Sequence, residues 1–192
     1  LLDCVELIFI DGRKKENRDS AWAAADVFCS FSDNIQETFG ISPIEAMASG
    51  LPVVVSDWNG YKETVRDSED GYRIKTLMPE ANSVNDFLEN YSVGTDSYDQ
   101  YIGKTSAFIS IDIVQATERF SRLFASKEER IRLGKNGRKR AQQYFDWKQI
   151  IPQYEKLWQL LNEQRQKFGL KSTKSNEWPE RLDPYKSFEH YS

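Results

Sequence analysis

Two carboxylates flank a glycine in one short stretch of the chain, the segment SDNIQETFGISPIEAMASG at residues 32–50. Glu37 and Glu45 lie eight positions apart, and Gly40 stands between them, just before the start of a predicted helix. A helix N-terminus preceded by glycine is suited to bind an anion, because its first N–H groups are unpaired and the helix dipole is positive there. The segment therefore predicts an anion site.

The spacing of the acidic groups around that helix start suggests what the anion belongs to. The backbone amides of Gly40, Ile41 and Ser42 are placed to hold a diphosphate. Glu37 then lies on one side of the diphosphate, and Glu45 lies about one helical turn along on the other. Carboxylates are poor ligands for phosphate but good acceptors for hydroxyl groups. A molecule with hydroxyls on both sides of a diphosphate is a nucleotide sugar.

Each glutamate also has an ordinary structural interpretation. Ser42 is a suitable N-cap, Pro43 suits the first helical position, and Glu45 then completes a capping box. Glu37 on its own is compatible with a solvated loop carboxylate. The local pattern leaves these alternatives open, because a capping carboxylate still has a second oxygen free for a ligand.

Short apolar runs alternate with helix-like segments around these residues. We predict strands at residues 5–10, 26–32, 51–57 and within 67–76, and helices at 20–26, 42–49 and 61–66. This alternation, with a continuous apolar strand containing Val53–Val55, is typical of a parallel sheet covered on both faces. The fold class is therefore α/β, with a Rossmann-like sheet, and ligands of such sheets bind beyond the carboxyl ends of the strands.

The second half of the chain is predicted to be mainly helical after a polar excursion. We interpret residues 78–105 as a loop, followed by helices at 111–125, 126–145 and 146–168, of which the second begins with a capping box from Ser126 to Glu129. Pro152 should kink the last helix. Residues 1–168 then form one partial domain, and residues 169–192 form an irregular tail.

Composition limits the classes of function. The 192 residues are 39% hydrophobic and 29% charged, with a net charge of −4 that does not favour nucleic acid. No apolar run reaches the roughly 20 residues of a membrane helix, and no signal peptide is evident, so we expect a cytoplasmic protein. Cys4 and Cys29 are expected to be buried free thiols, and a single histidine, His190, leaves little basis for histidine chemistry.

These residues together resemble a known family. The motifs ADVF, ETFGISPIEAMASGLPVVVSD and the Glu-x7-Glu spacing are similar to the C-terminal donor-binding domain of retaining glycosyltransferases with the GT-B fold, family 4 or "group 1". The likeness is close over residues 20–75 and looser through 130–141 and the final helix. It implies the C-terminal half of a GT-B fold that is incomplete at its N-terminal side.

The resemblance also implies roles for individual residues. Glu37 would contact hydroxyls of the donor sugar and steady the developing oxocarbenium charge, and Glu45 would bind the ribose hydroxyls. The remaining substrate-binding residues would line the sugar and diphosphate: Thr38, Phe39, Gly40, Ile41, Ser42 and Gly60. The family often has a glycine where Asn59 stands. The resemblance implies a nucleotide-diphosphate sugar as donor, and implies neither a metal nor a separate cofactor.

The resemblance leaves part of a transferase unaccounted for. An Arg and a Lys that usually neutralise the diphosphate, and an N-terminal acceptor-binding domain, are expected upstream of this segment. We therefore expect a fragment of a longer transferase, inactive alone. The alternative is a non-catalytic fragment or a nucleotide-sugar-binding or regulatory module. The basic stretch 127–140 fits a solvated helix, although peripheral contact with an anionic membrane is compatible with it.

Overall fold

A three-stranded parallel sheet organises the first part of the chain. The strands are β1 (Phe28–Ser30), β2 (Val53–Ser56) and β3 (Gly71–Ile74), in the order β1-β2-β3. The central strand β2 is buried at every position. Parallel strands joined by helices confirm the predicted α/β class. The computed structural model from which the fold is taken describes residues 5–80, 83 and 85–168.

The chain divides into two compact units, residues 1–149 and residues 150–192. The described elements of the first unit, beyond the sheet, are α1 (Lys15–Ala24), α2 (Ile41–Ser49), α3 (Tyr61–Thr64), an antiparallel pair β4 (Thr76–Leu77) and β5 (Ser110–Ile111), α4 (Asn85–Ser92), α5 (Tyr98–Ser106), α6 (Ile113–Ala125), α7 (Lys127–Arg140) and a π-helical turn (Ala141–Phe145). A last helix, α8 (Trp147–Phe168), begins at the end of the first unit and runs through the described part of the second.

The side chains of β2 alternate between two apolar clusters, one on each face of the sheet. Val53 and Val55 join the cluster that also contains Met47 of α2 and Tyr61 of α3. Val54 joins the opposite cluster, which is built from Tyr72, Ile74, Ala116, Leu123 and Leu133. Each fully buried valine of this kind stabilises the fold by about 1.5–3 kcal/mol. Helices cover both faces, as the continuous apolar strand predicted.

The predicted strand at residues 5–10 is wrong. The segment has no regular structure, and its side chains are exposed, Phe9 to 94%. A strand needs a neighbouring ladder for its N–H and C=O groups, and none of the described residues pairs with this segment. The apolar run alone was therefore not sufficient to predict a strand.

Two predicted segments between the strands also differ from the structure. The helix expected at 20–26 begins earlier, at Lys15, and ends at Ala24. The expected loop at 78–105 contains helices α4 and α5, and the β4–β5 pair closes its base. Ser97 caps α5 with a full capping box to Gln100, a local signal that the polar composition obscured.

The start of the second late helix is confirmed, although half of its capping box is not formed. The Ser126 hydroxyl accepts a hydrogen bond from the Glu129 amide at the start of α7. The Glu129 carboxylate instead pairs with Arg132 and accepts from the Tyr72 hydroxyl at 2.7 Å. The regular α-helix ends at Arg140, where the π-helical turn begins.

Helix α8 continues through Pro152, and whether the proline bends it stays a prediction. Among the described residues, no helix is long and apolar enough to span a membrane. Cys29 is exposed, contrary to the expected buried thiol. Cys4, His190 and the tail at 169–192 lie outside the described residues.

Candidate functional site

Two loops meet at the carboxyl edge of the sheet. The loop at residues 31–40 leaves β1, and the loop at 57–60 leaves β2. The Trp58 indole donates to the Asn34 carbonyl at 2.9 Å, and the Asn59 side-chain amide donates to the Glu37 carbonyl at 3.3 Å. Glu37 therefore lies at the carboxyl edge of the sheet, where α/β folds bind ligands.

Gly60 brings the two loops into backbone contact. A Cβ atom at this position would lie 2.1 Å from the Thr38 carbonyl oxygen and 2.5 Å from the Phe39 Cα. Any side chain at residue 60 would therefore push apart the loop that carries Glu37. Next to it, Asn59 has a positive φ of 27°. Asparagine tolerates this conformation better than most residues do, which explains why it can stand where the family often has glycine.

Helix α2 begins at Ile41. Its N-cap is Gly40, in the left-handed conformation with φ 75°, two residues before the predicted N-cap Ser42. A side chain at Gly40 would also meet the Tyr61 ring, since its Cβ would lie 2.0 Å from the ring's Cε1 atom. No side chain caps this helix. The predicted capping box is therefore wrong, because Ser42 is the second helical residue and Glu45 is the fifth.

The uncapped helix start leaves polar groups available. The amides of Ile41 and Ser42 belong to the first turn, where an α-helix has no carbonyl partners for its N–H groups. Glu45 is exposed, and among the described residues no hydrogen bond or ion pair involves its carboxylate. With capping removed as its role, Glu45 is free to accept hydrogen bonds from a ligand.

The other predicted binding residues surround this helix start. Thr38, Phe39, Ile41 and Ser42 are exposed, whereas Gly40 and Glu37 are partly buried. The Phe39 ring is 47% exposed and contacts the Phe145 ring edge-on at 6.3 Å between centroids. The structure thus places the predicted site residues on the two loops and the first turns of α2.

Glu37 is held by a residue that sequence reasoning missed. The Tyr61 hydroxyl donates to Glu37 Oε2 at 3.4 Å and lies 2.9 Å from the Ser30 hydroxyl. Tyr61 is only 2% exposed, and burial raises its pKa, with a further contribution from the Glu37 charge. The only sequence signal was a tyrosine directly after the Asn-Gly pair of the second loop, which has no specific meaning alone.

A cation also lies at this edge of the sheet. Arg73 Nε is 3.4 Å from Asp57 Oδ1, and the same guanidinium donates to the Lys62 carbonyl at 2.9 Å. Arg73 is thus engaged by protein groups and is not presented to the α2 N-terminus by these contacts. Among the described residues, no group of three or more His, Cys, Asp or Glu side chains could hold a metal ion.

The fold and the site define a class before any comparison: a Rossmann-like α/β domain with two acidic side chains and an uncapped helix start at the carboxyl edge of its sheet. The family model for glycosyl transferases group 1 matches residues 5–108. The chain belongs to that family, which confirms the resemblance seen in its motifs.

Several known proteins are similar in sequence to part of this chain. It is 45% identical over 65 residues to the phosphatidyl-myo-inositol mannosyltransferase of Mycobacterium leprae (strain TN), covering 33% of this chain and 16% of that protein. It is 29% identical over 142 residues to spore coat protein SA of Bacillus subtilis (strain 168), covering 74% and 29%. An MMP alpha-(1->4)-mannosyltransferase of Mycolicibacterium hassiacum is also 29% identical over 142 residues, covering 74% and 26%.

A solved structure is similar as well. Sucrose-phosphate synthase from Thermosynechococcus elongatus aligns with a TM-score of 0.46 and 26% identity, covering 74% of this chain and 27% of that one. The chain spans less than a third of the length of the curated relatives it matches.

Proposed function

We propose that this chain is the donor-binding part of a retaining glycosyltransferase that uses a nucleotide-diphosphate sugar. The observation that carries the proposal is the uncapped start of α2, with the exposed, unpaired Glu45 carboxylate beside it and Glu37 on the preceding loop. Along the chain, a carboxylate is followed by a left-handed glycine, by unpaired amides and by a second carboxylate. This order suits a ligand with hydroxyls on both sides of a diphosphate.

The proposed chemistry depends on stabilising the charges that develop when the donor loses its sugar. The bond between the anomeric carbon and the diphosphate breaks, and the nucleoside diphosphate leaves with the bonding electrons. The amides of Ile41 and Ser42 stabilise the negative charge that forms on the leaving group. Glu37 faces the positive charge that forms on the sugar. The acceptor hydroxyl attacks the anomeric carbon from the face that the diphosphate leaves and gives its proton to the departing phosphate oxygen, so the new glycosidic bond forms with the configuration retained.

Transfer also requires an acceptor and positive charge beside the diphosphate. We propose that an acceptor-binding domain and cations for the diphosphate are supplied by other parts of a longer, cytoplasmic protein, and that transfer requires no metal ion. The alternative, a module that binds the nucleotide sugar without transferring it, shares the same donor site. Binding and turnover must therefore be measured separately.

Binding to the chain itself tests the proposal. Calorimetric titrations use GDP, UDP and ADP, and then GDP-mannose, UDP-glucose and ADP-glucose. Glu45→Gln should weaken binding of the diphosphate and of its sugar conjugate equally, by about 10-fold, because both contain the ribose. Glu37→Gln should weaken only the sugar conjugate, because its proposed contact is to the sugar.

A matched control separates these effects from a general loss of charge. Glu118→Gln removes an exposed carboxylate from the middle of α6 and should leave every affinity unchanged. If Glu45→Gln lowers the free energy of unfolding but leaves nucleotide affinity intact, Glu45 has a structural role and the ribose assignment is wrong.

A further inference from the structure

Tyr61 connects the two loops of the candidate site through both its ring and its hydroxyl. The ring occupies the space next to Gly40, where a Cβ atom would lie 2.0 Å from it. The hydroxyl lies between Ser30, at the end of β1, and the Glu37 carboxylate. The side chain is therefore buried under the very turn that starts α2.

The direction of the hydrogen bonds follows from the chemistry of the partners. A carboxylate oxygen accepts and the Tyr61 hydroxyl has a single proton, which it donates to Glu37 Oε2. The Ser30 hydroxyl then donates to the Tyr61 oxygen at 2.9 Å. This chain, from Ser30 through Tyr61 to Glu37, engages one carboxylate oxygen and leaves the other available.

We propose that Tyr61 is a positioning residue that orients the Glu37 carboxylate for the sugar of the donor. This inference rests on the proposed function, because it assigns the sugar as the group that Glu37 contacts. Tyr61 holds one oxygen of Glu37, and the second oxygen accepts from a sugar hydroxyl. A glutamate side chain held in this way loses less conformational entropy when the donor binds.

The chain offers a matched control for this role. Tyr72 is also buried, at 1% exposure, and its hydroxyl also donates to a glutamate, Glu129, at 2.7 Å. Tyr72 belongs to the apolar cluster on the opposite face of the sheet from Tyr61. Tyr61→Phe and Tyr72→Phe therefore remove equivalent groups, but only the first touches the candidate site.

The first measurement tests the hydrogen bond without any donor. In the full chain labelled with ¹³C at the tyrosine ring carbon that bears the hydroxyl, NMR follows the titration of each tyrosine. Glu37→Gln should lower the pKa of Tyr61, because it removes a negative charge and a carboxylate acceptor, and should leave the titration of Tyr72 unchanged. An unchanged Tyr61 titration overturns the inference.

The second measurement compares diphosphates with their sugar conjugates by calorimetry, using GDP with GDP-mannose and UDP with UDP-glucose. Tyr61→Phe should weaken binding of the sugar conjugate by about 2- to 12-fold, the cost of ordering one free side chain, and leave the diphosphate unaffected. Tyr72→Phe should change neither affinity. Ser30→Ala should act in the same direction as Tyr61→Phe but more weakly, since it removes one of two serine hydroxyls, Ser30 and Ser32, that interact with the tyrosine hydroxyl.

The outcomes separate the inference from the proposed function. If Tyr61→Phe weakens binding of both ligands equally, or of neither, the positioning role is overturned, even where Glu37→Gln shifts the Tyr61 titration. If Glu37→Gln shifts the Tyr61 titration but the unsubstituted chain binds neither sugar conjugate nor diphosphate, the proposed function is wrong. The role of Tyr61 in binding the sugar donor is then overturned with it.

Discussion

Gly60→Ala is the sharpest test of how the two loops form the site. The added Cβ would lie 2.1 Å from the Thr38 carbonyl oxygen and 2.5 Å from the Phe39 Cα, so both conflicts are with backbone atoms. The loops would have to separate by about 1 Å or more to reach ordinary contact. The φ of Gly60 is −59°, which alanine adopts freely, so backbone strain adds nothing to the steric conflict.

The expected cost has two parts. Overpacking of this kind lowers the free energy of unfolding by about 1–3 kcal/mol, partly offset by the smaller unfolded-state entropy of alanine. Displacement of Glu37 and the α2 start should also weaken nucleotide-sugar binding by about 10- to 100-fold, equivalent to one hydrogen bond to a charged group. Urea unfolding followed by circular dichroism measures the first part, and calorimetry measures the second.

Gly71→Ala is the matched control. Its Cβ would also lie 2.1 Å from a backbone carbonyl, that of Val53, but the conflict is within the sheet, between β3 and β2. We expect a similar loss of stability with nucleotide-sugar affinity retained in the folded fraction. If Gly60→Ala changes neither stability nor affinity, the close approach of the two loops is not a feature of the folded protein and the reasoning fails.

Two further predictions concern single residues. Both Asn59→Gly and Asn59→Val lose the exposed hydrogen bond to the Glu37 carbonyl, but glycine gains from the positive φ of residue 59 and valine is strained there. Asn59→Gly should therefore change the free energy of unfolding by only a few tenths of a kcal/mol, and Asn59→Val should lower it by about 1–2 kcal/mol; equal urea midpoints for the two variants would contradict this. The Arg132 guanidinium lowers the pKa of Glu129 to about 2, so its carboxylate contributes stability that is full above pH 4.5 and is lost as pH falls towards 2. We therefore expect Glu129→Gln to cost about 1–3 kcal/mol at neutral pH, because solvent screens a pair whose Arg132 is half exposed, and close to nothing at pH 2. A pH-independent difference in urea unfolding would show that the ion pair is not the cause.

The elements that could be predicted were those with a complete local signal. The strand containing Val53–Val55 and the end of α2 at residue 49 were predicted correctly, since a continuous apolar run and a glycine directly after a helix act within a few residues. Residues 5–10 had the same apolar character, yet they form no strand. Strand formation depends on a partner, which no local pattern can provide.

The site shows the same division. The identities of Glu37, Gly40 and Glu45 were evident from their types and order. The assignment of Ser42 as N-cap was wrong. Both Gly40 and Ser42 are residue types found at N-caps, and the helix begins after Gly40, which adopts the left-handed conformation. That two-residue shift of the N-cap changes Glu45 from a capping group to a free carboxylate.

By itself, the sequence determined the class of fold, the family and the acidic and glycine residues of the candidate site, because these depend on residue type, order and short spacing. Only the tertiary structure decided what surrounds Glu37. Tyr61, Asn59 and Gly60 follow a different strand and reach the Glu37 loop because β1 and β2 are neighbours in a parallel sheet. Contacts across that edge depend on strand pairing and on distances of a few ångströms. No short stretch of the chain determines either of them.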